Sequence, residues 1–175
     1  YHSVKPLIIF FKKHGLRIFD VQLNDVQMGS MRVFVTWENG KMQSSSSVNN
    51  LLKLEDDFKL YESGTYKTFL SQVADEKDKL ITELAKYKRV VLYGVPAKIV
   101  LLINYFGIEK YIQYAVDDSL LKVGRYIPGT KILIKPSEEW KQDKPKATLI
   151  GAYNFSDDII KKNNSYNGKW IVPLK

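Results

Sequence analysis

A lysine placed four residues after a glycine turn is the clearest chemical feature of the sequence. The apolar run at residues 90–92 predicts a short strand buried on both faces of a parallel sheet. Gly94 then permits a tight turn, and Pro96 suits the first turn of a helix predicted over residues 96–106. Free N–H groups and a positive dipole end meet at such a helix start, so the pattern predicts an anion site to which Lys98 adds a full charge. The alternative is an ordinary strand–helix connection with a solvated lysine, because one glycine is a weaker signal than G-x-G-x-x-G.

Three further segments place polar side chains where such a fold binds ligands. Asp117 follows Gly94 by 23 positions, near the spacing at which dinucleotide-binding folds place a carboxylate on a ribose hydroxyl. The loop at residues 122–130 carries two cations, Lys122 and Arg125, which suggests a loop that faces a ligand. Asn154 follows another strand and either caps the next helix or contacts the ligand. Asp117 has the same structural alternative, namely capping of the turn that follows it.

Composition restricts the chemistry. The chain has 175 residues, no cysteine and two histidines, His2 and His14. Disulfides and thiolate metal sites are therefore excluded, and a histidine-based zinc site is disfavoured. The longest apolar runs, at residues 6–11 and 99–103, are far shorter than the roughly 18 residues that a membrane-spanning helix needs. We therefore expect a cytoplasmic protein without a membrane partner.

Positive charge is concentrated in the second half of the chain. The net charge is +8, and residues 88–175 hold 15 Lys and Arg against 8 Asp and Glu. This excess is compatible with a nucleotide, a nucleic acid or an anionic lipid as ligand, and also with lysines that are simply solvated. The cations are spread over alternating elements without a stripe of aromatic residues for base stacking. We therefore expect no nucleic-acid partner.

The first half of the chain reads as a helix, a hairpin and two further helices. Ser3 is a predicted N-cap, and His14 is expected to shield the C-terminal end of the first helix. Two strands are predicted at residues 16–25 and 31–37. A serine-rich loop at residues 39–50 precedes a short helix at 51–61, in which Glu55 is expected to be solvated. Gly64 is expected to interrupt the chain before a long helix at residues 65–87.

Strands and helices alternate from residue 88 onwards. The predicted strands cover residues 90–92, 111–116, 131–134, 147–151 and 170–172, with helices starting at residues 96, 137 and 156, the last of them ending at residue 166. Alternation with short connections predicts an α/β fold: a Rossmann-like, three-layer domain with a mainly parallel sheet. Ligands in such folds bind at the carboxyl ends of the strands.

Several of these motifs resemble the C-terminal domain of sugar C-methyltransferases, which use S-adenosylmethionine (SAM) to methylate a carbon of nucleotide-linked keto-deoxysugars. The most specific are Y-G-x-x-x-K at residues 93–98 and K-x-G-R-Y-x-P-G-T at 122–130, joined by Asp117, Asn154 and G-K-W-I-V-P at 168–173. His14-Gly15-Leu16 and Gly29-Ser30-Met31-Arg32 resemble the closing helix and hairpin of the family's SAM-binding domain. Gln27 and Met28 stand where the family often has histidine and glycine, and Tyr153 where it usually has tryptophan.

The resemblance implies three segments. Residues 1–38 would be the tail of a class I SAM-dependent methyltransferase domain, 39–64 a linker with a short helix, and 65–175 a Rossmann-like sugar-nucleotide-binding domain. It also implies the substrate-binding part of a SAM-dependent methyltransferase that is inactive without the rest of its chain. SAM would be bound mainly upstream, and zinc only by a segment that precedes this chain. The alternative is a non-catalytic nucleotide or sugar-nucleotide binding module.

The expected substrate-binding residues are Tyr93, Gly94, Lys98, Asp117, Lys122, Arg125 and Asn154. In this interpretation Lys98 and the backbone after Gly94 take the diphosphate, Asp117 contacts ribose or sugar hydroxyls, and Lys122 and Arg125 close over the anion. No catalytic residue and no metal ligand is assigned on this chain.

Overall fold

The computed structural model describes residues 2–26 and 29–174, so the departures at Gln27 and Met28 lie outside the described residues. The chain forms two compact units, Tyr1–Ser71 and Gln72–Lys175. The three predicted segments differ from this division and remain a prediction.

The first unit contains a helix, a hairpin and a second helix. Helix α1 (Val4–Lys13) precedes the antiparallel strands β1 (Leu16–Asn24) and β2 (Ser30–Trp37), which confirms the predicted hairpin. Helix α2 (Ser46–Asp57) follows. A small core joins these elements, and its buried residues are Val4, Ile18, Val21 and Val48. A two-stranded hairpin is only marginally stable alone. Burial of its apolar side chains against the two helices stabilises it here.

Helix α1 is capped by a residue from α2. Ser3 is the N-cap residue, but its side chain makes no capping bond. The carboxylate of Glu55 instead accepts the backbone N–H groups of Val4 and Lys5, the latter at 3.2 Å. Glu55 is only 7% exposed, so the prediction that it is solvated was wrong. A carboxylate at a helix N-terminus satisfies otherwise unpaired N–H groups and complements the dipole.

Helices α2 and α3 both begin earlier than predicted. Ser45 caps α2, because its hydroxyl oxygen accepts the N–H of Ser47 at 3.1 Å. Half of the serine run is thus helical, and the prediction of a loop up to residue 50 was wrong. Helix α3 (Ser63–Leu84) includes Gly64, which therefore does not interrupt it. Glycine lowers helix stability by only about 1 kcal/mol, which packing elsewhere along a helix of this length offsets.

The second unit contains a five-stranded sheet in which all the pairs are parallel. Its strands are β3 (Val90–Tyr93), β4 (Ile112–Val116), β5 (Ile134–Lys135), β6 (Ala147–Ile150) and β7 (Lys169–Ile171). Their order across the sheet is β5-β4-β3-β6-β7. The chain thus builds outward from β3 on one side, then returns to its other side with β6. This confirms the predicted Rossmann-like fold.

Helices cover the sheet and complete its layers. They are the end of α3, α4 (Ala97–Phe106), α5 (Ser137–Asp143) and α6 (Ser156–Lys162). Leu80 and Leu84 of α3 pack with Ile99 and Ile103 of α4 against one set of strand residues. The alternate set packs against Trp140 of α5. Alternation of side chains along each strand gives the sheet these two apolar faces.

A strand and a helix in the second unit have boundaries that differ from the sequence-based expectation. The strand predicted at residues 131–134 is β5 at Ile134–Lys135, because the Thr130 hydroxyl holds a turn by donating to the Ile127 carbonyl at 2.9 Å. The helix predicted to reach residue 166 ends at Lys162, and Tyr166 packs on Trp170 at 4.6 Å between ring centroids. Aromatic packing removes Tyr166 from the helix.

Candidate functional site

The carboxyl ends of β3 and β6 approach each other closely through two glycines. Gly94 has φ +81°, and its N–H donates to the Val116 carbonyl at 2.8 Å. A Cβ atom added to Gly151 would lie 1.9 Å from the Gly94 carbonyl oxygen, so only glycine fits there. The sequence analysis did not select Gly151, although a glycine directly after the apolar run 147–150 was an available signal. The chain adds β4 and β5 on one side of β3, and β6 and β7 on the other side. In folds of this kind the ligand crevice lies where the strand order changes direction, which here is between β3 and β6.

Helix α4 begins directly after this turn, as predicted. Pro96 is its N-cap in an extended conformation, and Gly107 ends it in a left-handed conformation. The Val95 N–H donates to the Asp117 carboxylate at 2.8 Å, so it is already engaged within the chain. The first N–H groups inside the helix, those of Ala97 and Lys98, have no carbonyl one turn earlier to accept them. An anion at this helix start would meet these two donors.

Lys98 lies at the start of α4, half-buried against an aromatic ring. Its ammonium nitrogen is 4.4 Å from the ring centroid of Tyr153. Burial lowers the pKa of Lys98. The ring holds the ammonium group beside the helix N-terminus through a cation–π contact.

Asp117 fastens three parts of the carboxyl edge together. One carboxylate oxygen accepts the N–H of Val95 and the Lys122 ammonium, the latter at 2.9 Å, and the other accepts the Ser119 N–H at 2.9 Å. Burial opposes ionisation, but the bonds from Lys122 and the two N–H groups hold the pKa of Asp117 below its usual value. A carboxylate accepts up to about four bonds, so an acceptor position is left for a ligand hydroxyl.

Lys122 and Arg125 have different surroundings. Lys122 donates to Asp117 and to the Val95 carbonyl at 3.1 Å, so it already binds chain atoms at the turn before α4. The Arg125 side chain is exposed. Its backbone is fixed, because the Ile134 N–H donates to the Arg125 carbonyl at 2.8 Å. The loop is thus anchored at both cations, but the Lys122 ammonium is bound by chain atoms, whereas the Arg125 guanidinium is bound by none of the residues that the structure describes.

A cleft of about 240 Å³ lies beyond the carboxyl ends of β3, β4 and β6. Of the predicted residues, Tyr93, Gly94 and Asp117 line it; Lys98, Lys122, Arg125 and Asn154 do not. Sequence reasoning missed most of its remaining wall, which consists of Val116, Asp118, Ser137, Ala152, Phe155, Ile159, Lys162 and Asn163. Asn163, for example, is 8% exposed. It lies far along the chain from the motifs, so the motifs did not indicate it.

Tyr93 is held by aromatic rings behind the cleft. Its ring contacts Trp140 at 5.0 Å and Trp170 at 6.1 Å between centroids, both edge-on. Burial raises the pKa of the Tyr93 hydroxyl, and a hydrogen bond with the Asn163 side chain acts in the opposite direction. The hydroxyl is therefore a neutral, positioned group suited to hydrogen bonding.

The side-chain oxygen of Asn154 is a buried acceptor without a hydrogen-bond partner in the part of the chain that the structure describes. The N-cap of α6 is Phe155, without a side-chain capping bond. The capping alternative for Asn154 was therefore wrong. A buried polar atom without a partner is unfavourable by about 1–3 kcal/mol. Contact of Asn154 with a ligand stays a prediction.

Residues 2–26 and 29–174 contain neither a metal-ligand cluster nor a helix suited to span a membrane. No group of three or more His, Asp and Glu side chains there is arranged to hold a metal ion. None of the helices described is both long and apolar enough to cross a membrane. His14 is the C-cap residue of α1, with its ring 4.9 Å from that of Phe10.

Comparison with known proteins defines the class. Residues 25–174 match the family described as the C-methyltransferase C-terminal domain, and the chain belongs to this family. The curated protein "C-methyltransferase NovU" of Streptomyces niveus is 29% identical to this chain in an alignment 182 residues long. The alignment covers 99% of this chain. The match covers 43% of that relative, so the chain spans less than half of its length.

Proposed function

We propose that this chain is the substrate-binding part of a SAM-dependent C-methyltransferase that acts on a nucleotide-linked keto-deoxysugar. The observation that carries the proposal is the crevice between β3 and β6, where Gly94 and Gly151 let the strand ends converge beside the α4 N-terminus and Lys98. Membership of the C-methyltransferase C-terminal domain family supports methyl transfer as the reaction of the longer protein.

The diphosphate of the substrate would bind at the start of α4. The N–H groups of Ala97 and Lys98 point along the positive end of the helix dipole, and the Lys98 ammonium adds a charge beside them. The Val95 N–H cannot take part without leaving Asp117. We therefore place the phosphate oxygens at the N–H groups of Ala97 and Lys98 and not at that of Val95.

The sugar and ribose hydroxyls would meet the other predicted residues. Asp117 would accept one hydroxyl through its remaining acceptor position, Tyr93 would offer its hydroxyl, and Asn154 its unpartnered oxygen. Lys122 would keep Asp117 and the turn in place, and Arg125 would reach the anion from its anchored loop. Groups held in this way bind substrate without having to be ordered first.

The cofactor is proposed to bind outside this cleft. SAM would supply an electrophilic methyl group to the carbanion formed next to the sugar ketone. The sulfonium of SAM is a cation, whereas the donors at α4 and Lys98 suit an anion, so the residues at this site do not fit it. We assign neither SAM, zinc nor the general base to this chain, and we place them in further parts of the longer protein.

The first unit is proposed to be the end of the SAM-binding domain. Helix α1 and the β1–β2 hairpin would close the sheet of that domain, as the motifs at residues 14–16 and 29–32 suggest. In this interpretation the rest of the methyltransferase chain is a partner, and the present 175 residues alone do not transfer methyl groups. The protein is proposed to act in the cytoplasm and without nucleic acid.

Calorimetric titration with dTDP- and GDP-linked sugars tests this proposal. We expect Lys98→Ala to weaken binding at least about tenfold, because it removes the charge beside the helix N-terminus. Lys110→Ala is the matched control, since Lys110 also lies over a tyrosine ring, that of Tyr111, at 5.1 Å. Absence of saturable binding, or equal loss in both variants, would overturn the proposal. Undiminished binding without methyl transfer by the full-length methyltransferase would favour the binding-module alternative.

A further inference from the structure

A second cationic site lies at the opposite, amino-terminal edge of the parallel sheet. Two adjoining hollows of about 450 and 540 Å³ share Lys144, Pro145 and Lys146. These residues and Gly168 directly precede β6 and β7, and Arg89 directly precedes β3. Because the strands are parallel, this edge is opposite to their carboxyl ends, and the first hollow shares only Lys162 and Asn163 with the cleft there. Both volumes fall within the range of small-molecule pockets, about 300–1,000 Å³.

The walls of the two hollows carry far more positive than negative charge. Seven cations line them, namely Lys86, Lys88, Arg89, Lys141, Lys144, Lys146 and Lys162, against one carboxylate, Asp143. Asp143 is already paired with Arg89 at 3.1 Å and accepts the Tyr114 hydroxyl at 2.8 Å. Lys86 is paired with Glu83. The other five lysines form no ion pair with any carboxylate of residues 2–26 or 29–174.

Helix dipoles account for only part of this concentration of charge. Lys141 and Lys162 lie in the last turns of α5 and α6, where a cation complements the dipole. Lys88, Lys144 and Lys146 lie outside any helix. Lys144 is the C-cap residue of α5 and has the left-handed conformation, φ 46°, that commonly ends a helix. It lies between the two hollows and lines both.

Two aromatic rings in fixed positions form part of the remaining wall. Trp140 and Tyr166 line the first hollow with ring centroids 4.9 Å apart. The Trp140 indole N–H donates to the Thr148 hydroxyl at 2.9 Å, and that hydroxyl donates to the Tyr166 oxygen at 2.9 Å. A fixed ring surface next to unpaired lysines suits an anion that also carries a planar group.

We propose that these two hollows form a second anion site, for a small phosphate-bearing molecule, centred on Lys144 and Lys146. Phosphate oxygens would be bound by these lysines with Lys88 and Lys162. A planar group, where the molecule has one, would lie against the half-buried ring of Tyr166, which packs on the buried Trp140. The concave shape favours a small ligand over a nucleic-acid strand, which needs a continuous cationic track. The inference does not depend on the proposed function at the other edge.

Titration with inorganic pyrophosphate and, separately, with adenosine diphosphate tests the site. The 175-residue chain carrying Lys98→Gln serves as the reference, so that phosphate binding at α4 is weakened in every sample. In salt of about 0.15 M we expect one saturable site. We expect Lys144→Gln/Lys146→Gln to raise its dissociation constant at least about tenfold. Tighter binding of adenosine diphosphate than of pyrophosphate would identify a nucleotide as the source of the phosphate.

The control is Lys131→Gln/Lys161→Gln, which removes the same charge from exposed lysines outside both hollows. It is expected to change the dissociation constant less than about twofold. Equal weakening by the two double variants would overturn the site, because it would show general attraction to a basic protein. Absence of saturation at millimolar pyrophosphate, or binding of single-stranded DNA that pyrophosphate does not displace, would also overturn it. Thermal unfolding of each variant establishes that it is folded.

Discussion

At the scale of single residues, Asp117 has the contacts of a positioning group. Its carboxylate joins the turn after β3, the Ser119 backbone and Lys122. The sequence predicted an acidic residue at this site from spacing alone, but not that the chain itself would use three of its acceptor positions. Its effect on ligand binding is therefore expected to come largely through Val95 and Lys122.

Asp117→Asn is expected to lower the free energy of unfolding at neutral pH by about 1–3 kcal/mol, because bonds to a charged acceptor are lost. The pKa of Asp117 is lower in the folded protein than its usual value. The stability that it contributes is therefore present above that usual value and is lost as pH falls through the folded-state pKa. The difference between wild type and variant should shrink from about pH 5 towards pH 2, measured by urea unfolding.

Asp118→Asn is the control for this measurement, because Asp118 is the adjacent carboxylate and has no bond to Val95 or Lys122. It should lower stability by less than about 0.5 kcal/mol. A stability difference for Asp117→Asn that stays constant across this pH range would contradict the role assigned to its ionised form.

At the scale of elements, the approach of β3 to β6 depends on Gly151. Gly151→Ala is expected to lower the free energy of unfolding by about 1–3 kcal/mol, because the new Cβ would overlap the Gly94 carbonyl and move the backbone. Nucleotide-sugar binding should weaken with it, since the same turn leads into α4. Urea unfolding and calorimetry measure the two effects.

Gly64→Ala provides the opposite case. A Cβ at Gly64, within α3, meets no atom within 4 Å. Alanine is favoured over glycine in a helix by up to about 1 kcal/mol, so stability should rise or remain equal. If Gly151→Ala were as well tolerated as Gly64→Ala, the close contact of the two strand ends would not be a requirement of the fold.

At the scale of the whole molecule, the net charge of +8 bears on how an anionic substrate is bound. We expect the dissociation constant for a dTDP-sugar to rise as salt is increased from about 0.05 to 0.5 M, because screening shortens the reach of the lysines. The Lys98→Ala variant should show a shallower dependence. An affinity that does not change with salt would indicate that apolar contacts, rather than charge, dominate binding.

Local signals in the sequence were enough for much of this molecule. The run at residues 90–92, Gly94, Pro96 and Gly107 correctly predicted β3, its turn and α4, because each acts within a few residues of itself. Alternation of strands and helices likewise predicted the parallel sheet. These features depend on backbone sterics and on side-chain period, which a sequence displays directly.

Only the tertiary structure decided which distant residues meet. Glu55 caps a helix that lies 50 residues earlier, Gly151 accommodates the Gly94 carbonyl, and Asn163 closes the cleft beside Tyr93. Lys144 and Lys146 join Lys88 in one hollow only because β3 and β6 are neighbours. The sequence by itself determined the main elements and the family. The residues that form each site could be identified only from strand order and packing, because contacts between remote segments have no local pattern in the sequence.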